Sequence, residues 1–331
     1  MPSQKLHTIK MQKILVVVSV ILFLVKLWAW WLTASVAILT DTLESIVNVV
    51  AGFIGLYSII LSSKPRDRDH PYGHGKVEFI SSAIEGVLIL LAGLLIIIEA
   101  SNKLVYGYPL RKLDSGLILL GATAIVNYVM GHFCVVKGRK EHSPILVASG
   151  AHLKSDSYST FGILVGISLI IFTGMQWIDI AVAFLVAAII IFTSYRIIRR
   201  SVSGMMDESD TEVIGEILAV LKRHKLDGWI DVHNMRVIDY AGFYHIDCHL
   251  TVPYYIPVNE AHELMEMMST KVKEHFGDRV EFFVHIDGCL FSQCPICSVS
   301  ECPVRKHEFT GHLEWTVENA IVNKRHTPSE S

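Results

Sequence analysis

Between residues 13 and 200 the chain is dominated by apolar runs of about 20 residues, and no other feature constrains its fold as strongly. A helix of that length spans the hydrocarbon core of a bilayer, whereas soluble helices and strands show shorter or alternating apolar patterns. Apolar residues make up 51% of the 331-residue chain. They crowd into this stretch, and beyond residue 200 the pattern is that of an ordinary soluble domain. Six spans are predicted, at about 13–33, 36–62, 78–104, 114–137, 144–173 and 177–198. The expected fold is a polytopic α-helical membrane protein of six transmembrane helices with a C-terminal α+β domain. Its divisions are an N-terminal segment at 1–12, the helices within 13–203, the α+β domain at 204–288 and a Cys/His-bearing tail at 289–331.

Basic residues orient the spans. Lys5, Lys10 and Lys13 precede the first, and Lys64, Arg66, Arg68 and Lys76 follow the second. Lys137, Arg139 and Lys140 follow the fourth, and Arg196, Arg199 and Arg200 close the sixth. The opposite loops offer little beyond Lys103, Arg111 and Lys112. Both termini and the soluble domain are therefore expected in the cytoplasm, with the helices in the plasma (inner) membrane. A net charge of −3 gives no basic field for nucleic acid. No glycine-rich phosphate loop stands in a strand-to-helix setting, so no nucleotide is expected. The first apolar run leads into a polytopic pattern without a small-residue cleavage site, so it reads as a span and not a signal peptide.

Polar residues inside spans are the most informative, because each is costly in lipid without a partner or a task. Asp41, Glu44 and Asn48 share one face of the second span, and His152 and Asp156 share one face of the fifth. Facing each other, Glu44, Asn48, His152 and Asp156 would form a cage of three oxygens and one nitrogen, with Asp41 as a further donor. Tetrahedral coordination of that kind suits Zn²⁺, and an oxygen-rich set also suits harder ions. The competing reading is polar contact between helices. Two carboxylates and a His in i,i+4 pairs favour the ion site.

The soluble half reads helix (211–225), strand (231–240), strand (243–253), helix (259–276) and strand (279–287). Ala241-Gly242 marks a hairpin, and Asn259 is the expected cap of the second helix. His245, Asp247 and His249 alternate onto one strand face, as do His285 and Asp287. The tail then carries Cys289, Cys294, Cys297 and Cys302, spaced C-x4-C-x2-C-x4-C, followed by His307 and His312. In a reducing cytoplasm clustered Cys points to metal, either Zn²⁺ or an iron–sulfur cluster.

These residues resemble the cation diffusion facilitator family, over about residues 10–290. The fifth-span stretch Ala151-His152-Leu153-Lys154-Ser155-Asp156 fits its signature closely. The second-span stretch Thr40 to Asn48 fits in register, with Glu44 where His or Asp is usual and Asn48 where Asp is usual. The run Asp67-Arg68-Asp69-His70-Pro71-Tyr72-Gly73-His74-Gly75-Lys76-Val77-Glu78 is similar to the family's loop after the second span. Without the resemblance its His residues would read as solvated. The resemblance implies a second metal site at Asp67, His70 and His74, and an ion pair between Lys76 and Asp207. It also implies a metallochaperone-like αββαβ domain, a homodimer, and cytoplasmic metal bound by His233, His249, His262, His285 and Asp287.

The expected function is export of a divalent cation, Zn²⁺ first, in exchange for protons by alternating access. Ligands must lose protons to bind metal, and histidine as a residue type suits such an exchange near neutral pH. Nothing in this cycle makes or breaks a covalent bond, so the chain is expected to be a secondary transporter and not an enzyme. Its partners are lipid, protons and a second copy. Two rivals stand beside it. One is the same transporter carrying Mn²⁺, Fe²⁺, Co²⁺ or Cd²⁺. The other is a membrane-anchored metal sensor, which would have no use for buried carboxylates in its helices.

Overall fold

The computed structural model describes residues 2–33, 36–106, 116–173 and 177–328. Arg111 and Lys112, and the side chains of Asp41, Glu44 and Lys103, lie outside the described residues. Contacts divide the chain into two compact units, Met1–Met206 and Asp207–Ser331.

The first unit holds six long helices: α1 (Pro2–Thr33), α2 (Val36–Ser62), α3 (Val77–Tyr106), α4 (Gly116–Lys140), α5 (Pro144–Thr173) and α6 (Trp177–Met205). These are the six predicted spans. Helix α1 starts about ten residues earlier than its apolar run, so the residues ahead of position 13 extend the helix instead of forming a separate segment. Exposed apolar residues form stripes. On α1 these are Ile14, Val17, Ile21, Leu24 and Trp28, and on α3 Ile80, Ile84, Val87, Leu91, Leu94 and Ile98. Their spacing of three and four puts each set on one face, as a lipid-facing surface requires. The buried faces mix apolar side chains with polar contacts between helices. Glu85 accepts from Ser149 at 2.7 Å, and Gln12 also reaches Ser149, at 3.4 Å, so one hydroxyl joins α1, α3 and α5. Glu78 accepts from Ser62 at 2.6 Å and from Ser143.

Helices α4 and α5 cross with backbones in contact. A Cβ at Gly131 would lie 2.6 Å from the Gly150 carbonyl, and one at Gly150 would lie 2.7 Å from the Gly131 carbonyl. Small residues permit such an approach. It sets the depth at which α5 presents His152, two residues further on.

The second unit runs α7 (Thr211–Arg223), β1 (Asp231–Asp239), β2 (Tyr244–Val252), α8 (Val258–Phe276) and β3 (Val280–Gly288). Asp210 caps α7 by accepting from the Glu212 and Val213 amides at 3.0 and 3.3 Å. The β1–β2 hairpin turns through Ala241 (φ 53°) and Gly242 (φ 87°), and Tyr240 N donates to Phe243 O at 2.8 Å. Two consecutive positive φ values match the right-handed strand twist. One expectation is corrected: Pro257 precedes α8 and no side chain caps it. Asn259 sits inside its first turn, because proline's fixed φ already sets the entry.

The sheet order is β1-β2-β3, with β1 and β2 antiparallel and β2 and β3 parallel. Strand alternation separates its faces. Tyr244, Ile246, Cys248, Leu250 and Val252 join the apolar core with α7 and α8. His245, Asp247 and His249 fall on the other face. The tail is not a loose appendage. Ile296, Cys297, Leu313, Trp315 and Ala320 belong to the same core, and Trp315 is 1% exposed. From there the chain returns to the sheet, where Asn234 N donates to Val322 O at 2.9 Å.

Candidate metal centres

In the membrane unit, Asn48 of α2 meets His152 and Asp156 of α5. The Asn48 Nδ2 donates to Asp156 Oδ2 at 2.5 Å, and His152 Nε2 donates to Asn48 Oδ1, also at 2.5 Å. His152 Nε2 lies 4.0 Å from Asp156 Oδ1. Asn48 and His152 are both buried. The i,i+4 spacing on α5 puts its two side chains on one face, and Asn48 bridges them from the neighbouring helix. These three side chains can offer an ion one nitrogen and two oxygens. Glu44 lies one helical turn away on α2, and its side chain, like that of Asp41, is outside the described residues. A buried lysine carries no sequence signal of its own: Lys26 of α1 donates to Ser45 of α2 at 2.9 Å. One Lys near the end of a long apolar run gives no local pattern that would single it out.

The loop between α2 and α3 gathers Asp67, His70 and His74. Asp67 Oδ1 lies 3.2 Å from His70 Nδ1, and Asp67 Oδ2 lies 3.3 Å from His74 Nε2. Metal–ligand bonds of about 2 Å in a tetrahedron place ligand atoms about 3.3 Å apart, and this set is already at that spacing. The Asp67 carboxylate accepts from the His70 amide at 2.7 Å and from the Asp69 amide at 3.1 Å. The His70 amide bond is the main cause that holds its pKa below the usual value.

On the polar sheet face the register aligns His233, His249 and His285 in one cross-strand row, with Asp287 two residues beyond His285 on β3. His233, His249 and Asp287 bring their ligand atoms together. Asp287 Oδ2 lies 2.9 Å from His249 Nδ1 and 3.4 Å from His233 Nε2. His285 stands at the rim, 65% exposed, with Nε2 3.7 Å from Asp287 Oδ1. His262 does not join them: it is exposed on α8.

Two tail residues complete this face. Arg325 Nη2 lies 2.6 Å from Asp287 Oδ1, and its Nη1 donates to Gly288 O at 3.1 Å. His326 Nδ1 lies 2.7 Å from Asp231 Oδ1, and the His326 amide donates to Asp231 Oδ2 at 2.9 Å. Asp231 also faces His233 Nδ1 at 3.4 Å. Burial alone would raise the Asp231 carboxyl, but the bonds from His233 and His326 outweigh it and hold the group far below the usual range. Asp287 is lowered in the same way, with His249 and Arg325 opposing its partial burial. Neither Arg325 nor His326 carries a sequence signal, since both lie nearly 40 residues or more from the residues they meet.

The four tail cysteines line one small cavity with Tyr254, Gln293 and Arg305. All are free thiols. Burial, reinforced by the neighbouring thiols, pushes Cys289 and Cys297 up. Lys76 belongs to the first unit and Asp207 begins the second.

Comparison with known proteins places both parts of the chain in known domain families. Residues 13–206 match the cation efflux transmembrane domain, and residues 209–289 match the cation efflux protein cytoplasmic domain. An uncharacterized transporter of Synechocystis is 30% identical over 77% of this chain and 83% of its own. The manganese efflux system protein MneP of Bacillus subtilis is 27% identical over 84% of this chain and 95% of its own. The cation-efflux pump FieF of Cronobacter sakazakii is 24% identical over 82% and 90%. With both domains matched in order and the membrane domain covering more than half of the sequence, the chain belongs to the cation diffusion facilitator family of integral membrane cation efflux transporters.

Proposed function

We propose that this transporter exports a divalent transition-metal ion in exchange for protons, binding it between α2 and α5 through Glu44, Asn48, His152 and Asp156, with Asp41 adding negative charge nearby. The observation that carries the reading is Asn48 joined at 2.5 Å to both His152 and Asp156 within a membrane helix bundle. A polar set so placed is costly unless it has a task. Metal entering from the cytoplasm displaces protons from the carboxylates and His152, the helices rock to the opposite side, and returning protons release the metal.

Zn²⁺ is the proposed substrate, since one nitrogen and three oxygens make a tetrahedral set for it. Mn²⁺ is the second reading. A neutral Asn48 oxygen and a Glu are hard ligands, and the similar MneP is named for manganese efflux. The loop set Asp67, His70 and His74 is proposed as a second metal site. The sheet set His233, His249 and Asp287, with His285 at its rim, is proposed as a cytoplasmic regulatory site. His262 would join that site only from a second copy. The working form is a homodimer with both termini cytoplasmic.

Flux into vesicles holding a metal-sensitive dye tests the reading. Zn²⁺, Mn²⁺, Fe²⁺, Co²⁺ and Cd²⁺ would be offered in turn under an imposed pH gradient. Flux that follows the gradient and is abolished by Asp156→Ala is expected. Metal bound by the soluble unit without flux of any ion would favour the sensor instead.

A further inference from the structure

Beyond residue 289 the chain leaves the matched family domains, yet it folds into the core of the soluble unit. Three cysteines lie at separate points of that path, and a fourth, Cys289, is the last residue of the matched domain. Cys289 closes β3, and its amide donates to Val252 O at 2.8 Å, extending the sheet by one bond. Cys294 sits in the short 3-10 turn Phe291–Ile296, and the Cys297 amide donates to Cys294 O at 3.3 Å. Cys302 follows on the next bend. All four line the same cavity, whose free volume is about 10 Å³.

Arg305 holds the loop in shape. Its guanidinium donates to the carbonyls of Cys294 and Cys297, each at 3.0 Å, and of Val299 at 2.5 Å. This leaves a fixed positive charge beside four thiols, suited to offset the excess charge of a tetrathiolate. If these cysteines were only apolar filler, Cys294 and Cys302 would not need to stay half-exposed around a shared cavity.

We propose that Cys289, Cys294, Cys297 and Cys302 form a tetrathiolate site for one zinc ion, fastening the C-terminal segment to the end of β3. Soft thiolates in a four-fold set select zinc or an iron–sulfur cluster. The cavity favours the single ion, since it has room for about one water-sized sphere. Among the described residues, the sets whose ligand atoms lie within 4.8 Å of one another are the loop and sheet sets, and the four thiols are not among them. Binding therefore draws them together, as folding and metal uptake are coupled in such sites. The zinc is structural, because four protein ligands leave no open position.

The test uses the full-length protein, purified in detergent under reducing conditions and loaded with Co²⁺ in place of zinc. A thiolate-to-cobalt charge-transfer band is expected. It should persist in His233→Ala/His249→Ala and in Asp156→Ala, and disappear in Cys294→Ser/Cys297→Ser. Should the cysteine variant misfold, alkylation of the wild type mapped by mass spectrometry remains. Zn²⁺ is expected to slow labelling of these four thiols at least tenfold. Absence of both the band and the protection overturns the proposal, as does bound iron with sulfide and a brown chromophore. Neither readout depends on transport, so this site and the exchange mechanism stand or fall separately.

Discussion

The Asp287 carboxylate is shared between Arg325, 2.6 Å from its Oδ1, and His249, 2.9 Å from its Oδ2. A tail residue thus places a fixed cation on a candidate metal ligand. Arg325 repels an incoming cation, and it also orients the carboxylate. Repulsion by a full charge against a divalent ion is little screened in this largely buried set and should outweigh orientation. Arg325→Gln is expected to tighten Zn²⁺ binding to the sheet set by about tenfold, or roughly 1.4 kcal/mol. Calorimetry on a background lacking the four tail cysteines would measure it. Weakened binding would show that Arg325 mainly positions Asp287.

Asn48 donates to Asp156, so replacing its amide changes the charge of the membrane site directly. Asn48→Asp puts two carboxylates in contact and removes the donor between them. Without metal they repel each other, and with metal they offer it a further negative charge. The variant is expected to melt lower than wild type in chelator and to show a larger upward melting shift with Zn²⁺. Equal shifts in the two proteins would mean that Asn48 does not contact the ion.

At the α4–α5 crossing, Gly131→Ala places a methyl group 2.6 Å from a backbone carbonyl, which cannot rotate away. The helices must separate, at a cost of roughly 1–3 kcal/mol. A lower midpoint in detergent melting is expected, together with reduced flux because His152 shifts relative to Asn48. An alanine at Gly311, which meets nothing within 4 Å, should leave both unchanged.

Asp231 is buried between His326 and His233, and its pKa is depressed. A depressed carboxyl stabilises the fold above its ordinary value of 3.8, and this contribution is lost as pH falls through the lower folded value. Asp231→Asn is therefore expected to destabilise the protein by about 1–3 kcal/mol at neutral pH. The gap between variant and wild type should narrow on acidification below the ordinary carboxylate range. A gap that stays constant with pH would trace the loss to packing.

Trp315 is the largest tail side chain in the core. Trp315→Ala is expected to cost roughly 3–5 kcal/mol and to free the tail for proteolysis. If limited digestion releases the tail no faster than in wild type, the tail is held by other contacts, with the Arg325 and His326 pairs the first to examine.

The sequence by itself determined the six spans, because a bilayer demands a minimum apolar length and that demand is local. It also determined the αββαβ order, through strand alternation, helical spacing and a turn at Ala241-Gly242 that needs positive φ. Pairs such as His152 with Asp156 were legible because helical geometry fixes an i,i+4 relation without any knowledge of the rest of the fold. Only the tertiary structure decided what meets across distance. It set Asn48 between His152 and Asp156, and aligned His233, His249 and His285 across three strands. It left His262 exposed on its helix, and brought Arg325 and His326 back to the sheet. Those meetings depend on helix crossings, strand register and the path of a tail anchored by Trp315. Each is set by burying apolar surface from remote parts of the chain, and no local residue pattern records that.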